Sequence, residues 1–99
     1  MVRLIVLYNT PDDTEAFDAH YRDVHTPIVL RYPGLRELRL SRTAGAAGAS
    51  SPFYLMAEMF FEDRGALDAA VASDAGRESA RDLRNFAASG LQVFVAEDA

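Results

Sequence analysis

Tyr21 and His25 stand four residues apart in a stretch, Phe17 to Leu35, that reads FDAHYRDVHTPIVLRYPGL. On a helix that spacing brings a phenol beside an imidazole, whose reference pKa of about 6.5 suits it to take or give a proton near neutrality. General acid/base work at His25, with Tyr21 orienting the ring or polarising a substrate carbonyl, is the chemistry these two can do. A plainer role stands beside it. His25 can end the helix by bonding a late carbonyl or meeting the dipole, while Tyr21 simply packs.

Other side chains are candidates for holding a ligand rather than for chemistry. Tyr8 and Tyr54, both in apolar runs, can line a cavity, although strand tyrosines commonly sit in the core with a bonded hydroxyl. His20 falls between the core stripe and the solvent side. Glu58 lies in an otherwise apolar strand face, where a charge needs a partner, water or a function, and Arg39 is the partner expected. His20 and His25 are five residues apart, not the three or four that align two ligands on one helical face, so no metal site is expected. Asp12 and Asp13 read more simply as a turn and cap than as a hard-cation site. Ser41, Ser50 and Ser51 stand in no nucleophile elbow, and no glycine pattern marks a dinucleotide. No cofactor is expected.

Phe17, Tyr21, His25, Pro27 and Ile28, followed by Pro33, Gly34 and Leu35, form a pattern that resembles the EthD family, named for ethyl tert-butyl ether degradation. Members share Phe-x-x-x-Tyr-x-x-x-His-x-Pro-hydrophobic and then Pro-Gly-Leu; the rest of the chain agrees in element order. The resemblance implies a ferredoxin-like subunit pairing into a dimeric α/β barrel. Its superfamily holds cofactor-free enzymes, ligand binders and proteins of unknown role.

Periodicity independently gives the order β-α-β-β-α-β. Residues 2–9 are a β-branched and aromatic run stopped by Thr10-Pro11, read as a central strand covered on both faces. A helix follows, capped from Asp12, Asp13 or Thr14, with Phe17, Tyr21, Val24 and Ile28 as its core stripe and His25 at its end, where Thr26-Pro27 re-aims the chain. Residues 35–43 alternate as an edge strand with one wetter face. A Gly/Ser/Ala-rich hairpin loop over 44–52 leads to a strand over 53–61, with Phe53, Leu55, Ala57, Met59 and Phe61 on one face and Tyr54, Met56, Glu58 and Phe60 on the other. Residues 63–87 are helical with an interruption at 73–76, and after Gly90 a last strand runs over 91–98. This pattern defines an α+β domain, a ferredoxin-like βαββαβ unit with a four-stranded antiparallel sheet, as a single domain over residues 1–99.

Ninety-nine residues with 49% hydrophobic content leave room for one core. If helices cover one sheet face, Tyr54, Met56, Phe60 and Phe94 leave an apolar patch on the other, which predicts a homodimer; Glu37, Arg39, Glu58 and Gln92 would then pair across or inside it. A net charge of −5 argues against a nucleic-acid partner. All ten basic residues are arginine, so a lysine Schiff base is excluded, and the absence of cysteine excludes thiol chemistry. No apolar run is long enough to span a bilayer and no cleavable leader is expected, which makes the cytoplasm the expected location.

Two function classes follow. One is a binder of a small hydrophobic or aromatic carbonyl compound that acts as a cofactor-free isomerase, cyclase or oxygenase through His25. The other is a non-catalytic binding or accessory protein of a degradation pathway. A pocket between helix and sheet would use His25, Tyr21 and Tyr8, whereas a pocket inside the barrel would use Tyr54, Glu58 and Arg39; the first is favoured.

Overall fold

The computed structural model describes all 99 residues. Strands β1 (Val2–Asn9), β2 (Glu37–Arg42), β3 (Phe53–Phe61) and β4 (Leu91–Glu97) form one antiparallel sheet in the order β2-β3-β1-β4. β1 is therefore central and β2 an edge, as their apolar and alternating patterns imply. The helical layer comprises α1 (Thr14–His20), a π-helical turn (Tyr21–His25), α2 (Thr26–Val29), α3 (Arg64–Ala72) and α4 (Asp74–Phe86). This is the ferredoxin-like α+β arrangement. Asp13 caps α1 by accepting the Ala16 N–H at 3.0 Å, and Ser73 divides α3 from α4 by capping the second with its hydroxyl.

Alternation along β3 places Leu55, Ala57, Met59 and Phe61 under the helices, where they join Leu4, Val6, Tyr8, Phe17 and Tyr21 in the core. The cross-strand register assigns the other sheet face to Arg3, Ile5, Leu7, Glu37, Arg39, Met56, Glu58, Phe60 and Phe94. That face carries no helix, and the domain is 17 Å across its shortest axis, the depth of one sheet and one helical layer.

Three expectations need correction here. Tyr54 does not belong to the open face. The β1–β3 register slips between Tyr8 and Asn9, inserting Tyr54 as an extra residue, and its ring meets Phe17 of α1 edge-on at 5.5 Å. Glu58 pairs with Arg3 at 3.5 Å, while Arg39, its register partner, turns along its own strand to Glu37 at 3.0 Å. The first helix does not end at His25. It runs on to Val29, because the π turn widens the backbone just ahead of Pro27, whose ring and missing N–H would otherwise disrupt a regular helix.

Candidate functional site

The π turn decides which side chains face inward. The Thr26 N–H donates to the Tyr21 carbonyl five residues back, so one more residue than usual is spent on this turn. The inward position after Tyr21 thus passes from Val24 to His25: Val24 is 42% exposed and His25 only 3%. For the same reason His20 and His25, five apart, come to share a face, contrary to the spacing argument from a regular helix.

Both imidazoles meet a residue that sequence reasoning missed. Asp82 of α4 is only 6% exposed, and its Oδ2 lies 2.9 Å from His25 Nδ1. His20 Nε2 lies 2.9 and 3.1 Å from the two oxygens of the same carboxylate, and Asn85 Nδ2 donates to Oδ1 at 2.9 Å. Burial alone would raise the Asp82 pKa, but the hydrogen bonds from Asn85, His25 and His20 outweigh it and hold the carboxyl below its ordinary range. An ionised Asp82 accepts, so both histidines must donate to it, His20 from Nε2 and a neutral His25 with its proton on Nδ1. His25 Nε2 is left with a lone pair and no partner in the chain. Burial lowers the pKa of His25 against the opposing pull of Asp82, which favours this uncharged form.

Aromatic rings hold the cluster in place. Phe86, at the end of α4, stacks on His20 at 5.1 Å and leans on His25 at 4.8 Å, while Tyr21 approaches His25 at 5.1 Å between ring centroids. Behind them Tyr8 touches Phe17, Tyr21 and Phe86. Burial pushes the Tyr8 and Tyr21 phenols well above their ordinary pKa, so both remain protonated donors. Tyr32 donates to the Ser79 hydroxyl at 2.9 Å and ties α4 to the segment after α2.

A cleft of about 510 Å³ opens between the first helical run and the β2–β3 edge, lined among others by Asp18, Tyr21, Thr26, Leu40, Arg42 and Leu55. Its volume suits a small organic ligand. Tyr21 is the residue shared by the cleft and the histidine cluster; His25 stands one ring behind it. A second hollow of about 360 Å³ lies over Asp82 between the π turn and α4. Of the residues singled out from sequence, the structure gathers Tyr8, His20, Tyr21 and His25 into one cluster and sets Tyr54 beside the cleft. Glu58 and Arg39 lie on the far side of the sheet. No group of three or more His, Cys, Asp or Glu side chains has the geometry of a metal site.

The signal for Asp82 was present in helical spacing. Ala75, Ser79, Asp82 and Phe86 recur at intervals of four, three and four, one face of α4, so Asp82 occupies a core-facing position.

An α+β protein of ferredoxin-like fold, with a His-Asp-His cluster beneath a helix-to-sheet cleft, is the class these features define. Residues 10–90 match the model of the EthD domain, and the chain belongs to the EthD family. An uncharacterized 11.0 kDa protein in the thcB-thcC intergenic region of Rhodococcus erythropolis is 31% identical over 98 residues, covering 99% of this chain and 95% of that protein. The crystal structure of an EthD family protein from Bacillus halodurans is 39% identical with a TM-score of 0.92, covering 100% of this chain and 99% of that one. At the level of fold, the chain is also similar to SnoaB, a cofactor-independent oxygenase from Streptomyces nogalater, with 15% identity, a TM-score of 0.72 and coverage of 98% and 91%.

Proposed function

We propose that this protein binds a small hydrophobic or aromatic carbonyl compound in the cleft beside Tyr21 and moves a proton on it without a cofactor, His25 serving as the acid/base. The observation that carries this reading is the 2.9 Å contact between Asp82 and His25 Nδ1, which fixes the tautomer that leaves Nε2 able to accept a proton. When Nε2 takes that proton, the adjoining carboxylate stabilises the imidazolium, and the return step delivers the proton to another carbon or oxygen of the ligand. Tyr21, protonated and at the cleft wall, supplies a hydrogen bond to the carbonyl oxygen as negative charge develops there. Isomerisation, cyclisation, or oxygenation of a substrate that itself activates oxygen requires no more of the protein than this. SnoaB, of the same fold, is a cofactor-independent oxygenase.

A second reading, a non-catalytic binding or accessory role, draws on the placement of His25 behind Tyr21 rather than on the cleft wall. A panel of lactones, phenols, quinones and small aromatic acids separates the two readings. Binding is followed by thermal shift, which rises with occupancy, and each hit is tested for turnover. The enzyme reading requires His25→Ala to abolish turnover while the fold and much of the affinity survive; undiminished turnover refutes it.

The active unit in this proposal is a homodimer formed through the helix-free sheet face. Ile5, Leu7, Met56, Phe60 and Phe94 give that face an apolar character that a second copy would cover, and Phe94 is 43% exposed in the single chain.

A further inference from the structure

The cleft carries a recognition element independent of the histidine cluster. Arg42, at the end of β2, lies over the Tyr54 ring at 4.2 Å from its centroid, and its Nη2 donates to Asp18 Oδ1 at 3.0 Å. Tyr54 donates to both oxygens of the same carboxylate, at 3.0 and 2.9 Å. One carboxylate therefore pins both the guanidinium and the ring beneath it, and a stacked, ion-paired arginine loses less freedom when it meets a ligand. Its bonds within the chain stop at Nη2, so the Nε and Nη1 hydrogens are unclaimed beside the cleft.

The charge of the lining points the same way. Among its side chains are two guanidinium groups, Arg22 and Arg42, against the single carboxylate of Asp18, on a protein whose net charge is −5. Arg22 spends Nε and Nη2 donors on its neighbour Asp23, at 2.8 and 3.1 Å, whereas Arg42 spends only an Nη2 donor, on Asp18, and so keeps more of its donors free. Leu40, Leu55 and Tyr21 supply apolar wall to the same space. A ligand that fits all of this has an aromatic or apolar body and an acidic group at one end.

We propose that the cleft selects a small aromatic or apolar carboxylic acid, and that Arg42 is the residue that recognises its carboxylate. The inference rests on the reading that the ligand occupies this cleft, and it narrows that ligand from carbonyl compounds in general to those carrying an acid.

The test is calorimetric titration with benzoate, phenylacetate and 2-naphthoate beside their methyl esters, on wild type, Arg42→Gln, Asp18→Asn and His25→Ala. Wild type is expected to bind at least one acid about tenfold or more tightly than its ester, as loss of a charge-assisted contact implies. Arg42→Gln should erase that preference without changing ester affinity. Asp18→Asn keeps an oxygen that can hold Arg42 and Tyr54 in place while removing the negative charge that competes for the guanidinium, so acid binding should strengthen several-fold. His25→Ala should keep the preference, so that loss of turnover there and loss of acid selection in Arg42→Gln report on the two readings separately. Esters bound as tightly as acids overturn the acid inference while leaving carbonyl binding intact. A preference that survives Arg42→Gln, or no binding of either series at millimolar concentration, also overturns it.

Discussion

Replacing Asp82 by Asn tests the site more sharply than any change to a histidine, because it keeps shape and volume while removing the charge on which both imidazoles depend. An amide offers one accepting oxygen where the carboxylate offers two. Whichever imidazole then faces the amide NH₂ must present a lone pair instead of a proton, and for His25 that means the other tautomer, with Nε2 protonated and unable to act as a base. The same substitution in the serine-protease triad lowers kcat by about 10⁴ through the wrong tautomer, which sets the scale for a proton transfer that uses His25. Hydrogen bonds to charged groups contribute about 1.5–3 kcal/mol each, and Asp82 makes them to His20, His25 and Asn85. With part of the network retained by the amide, a net loss of about 2–3 kcal/mol is expected. For a domain of this size that is a drop in Tm of roughly 10–20 °C. The pH dependence gives a second readout. The folded-state pKa of His25 lies below its unfolded value of 6.5, so its neutral form supports stability fully above pH 6.5 and that support is lost as pH falls through the folded value. Asp82 is held below 3.8, so its support is present above that pH and fades on further acidification. In Asp82→Asn the later loss should vanish. The His25 loss should extend to lower pH, because Asp82 opposes the effect of burial on that ring. Thermal melts from pH 8 to pH 3 on both proteins decide it. An Asp82→Asn protein with wild-type Tm and an unchanged acid profile refutes the role assigned to Asp82.

Gly76→Ala should destabilise by more than the about 1–3 kcal/mol usual for overpacking, since its new methyl would clash with the backbone carbonyl oxygens of Ala70 and Val71; chemical denaturation measures it. Asp13→Ala removes the cap of α1 and should cost about 1 kcal/mol, read in the same experiment, with Asp13→Asn near wild type. Phe94→Glu places a charge on the open sheet face, on the edge strand β4, and sedimentation velocity should show the population of the proposed dimer shifted toward monomer relative to wild type. An unaltered dimer would exclude that face as the interface.

Most of the fold was legible because the sheet obeys its period. β3 spans the same Phe53–Phe61 that the sequence marks as a strand and alternates regularly from Leu55 to Phe61, and the turn residues Pro33 and Gly34 mark the entry to β2. Ser73 divides the last two helices within the Ser-Asp-Ala-Gly interruption seen in sequence. What escaped were departures from regular periods. Tyr54 was assigned to the wrong face because one bulged residue reverses an alternation. Val24 was placed in the core stripe because counting by threes and fours assumes a regular helix, and one extra residue in the turn rotates everything after it. Asp82 was passed over for another reason. Set among Arg81, Leu83 and Arg84 it reads as solvated surface, and its partners lie 57 and 62 residues away, where spacing along the chain carries no information.

The π turn and Asp82 depend on each other. A π turn has no advantage of its own over a regular one and is rare in proteins, so its persistence here requires interactions that a regular helix would forgo. Beyond the room it makes for Pro27, those are the contacts of His25 and His20 with one carboxylate, since restoring regular geometry would return Val24 to the interior, send His25 outward and separate the two rings. Asp82, conversely, is a charge deep in a helix interface that only these donors and Asn85 compensate; without them burial would raise its pKa rather than let it fall. Packing alone would be served better by Val24 inside and an apolar residue at position 82. The chain instead keeps an ionised carboxylate that directs a proton to one nitrogen of His25 and leaves the other bare, the arrangement on which the proposed proton transfer depends.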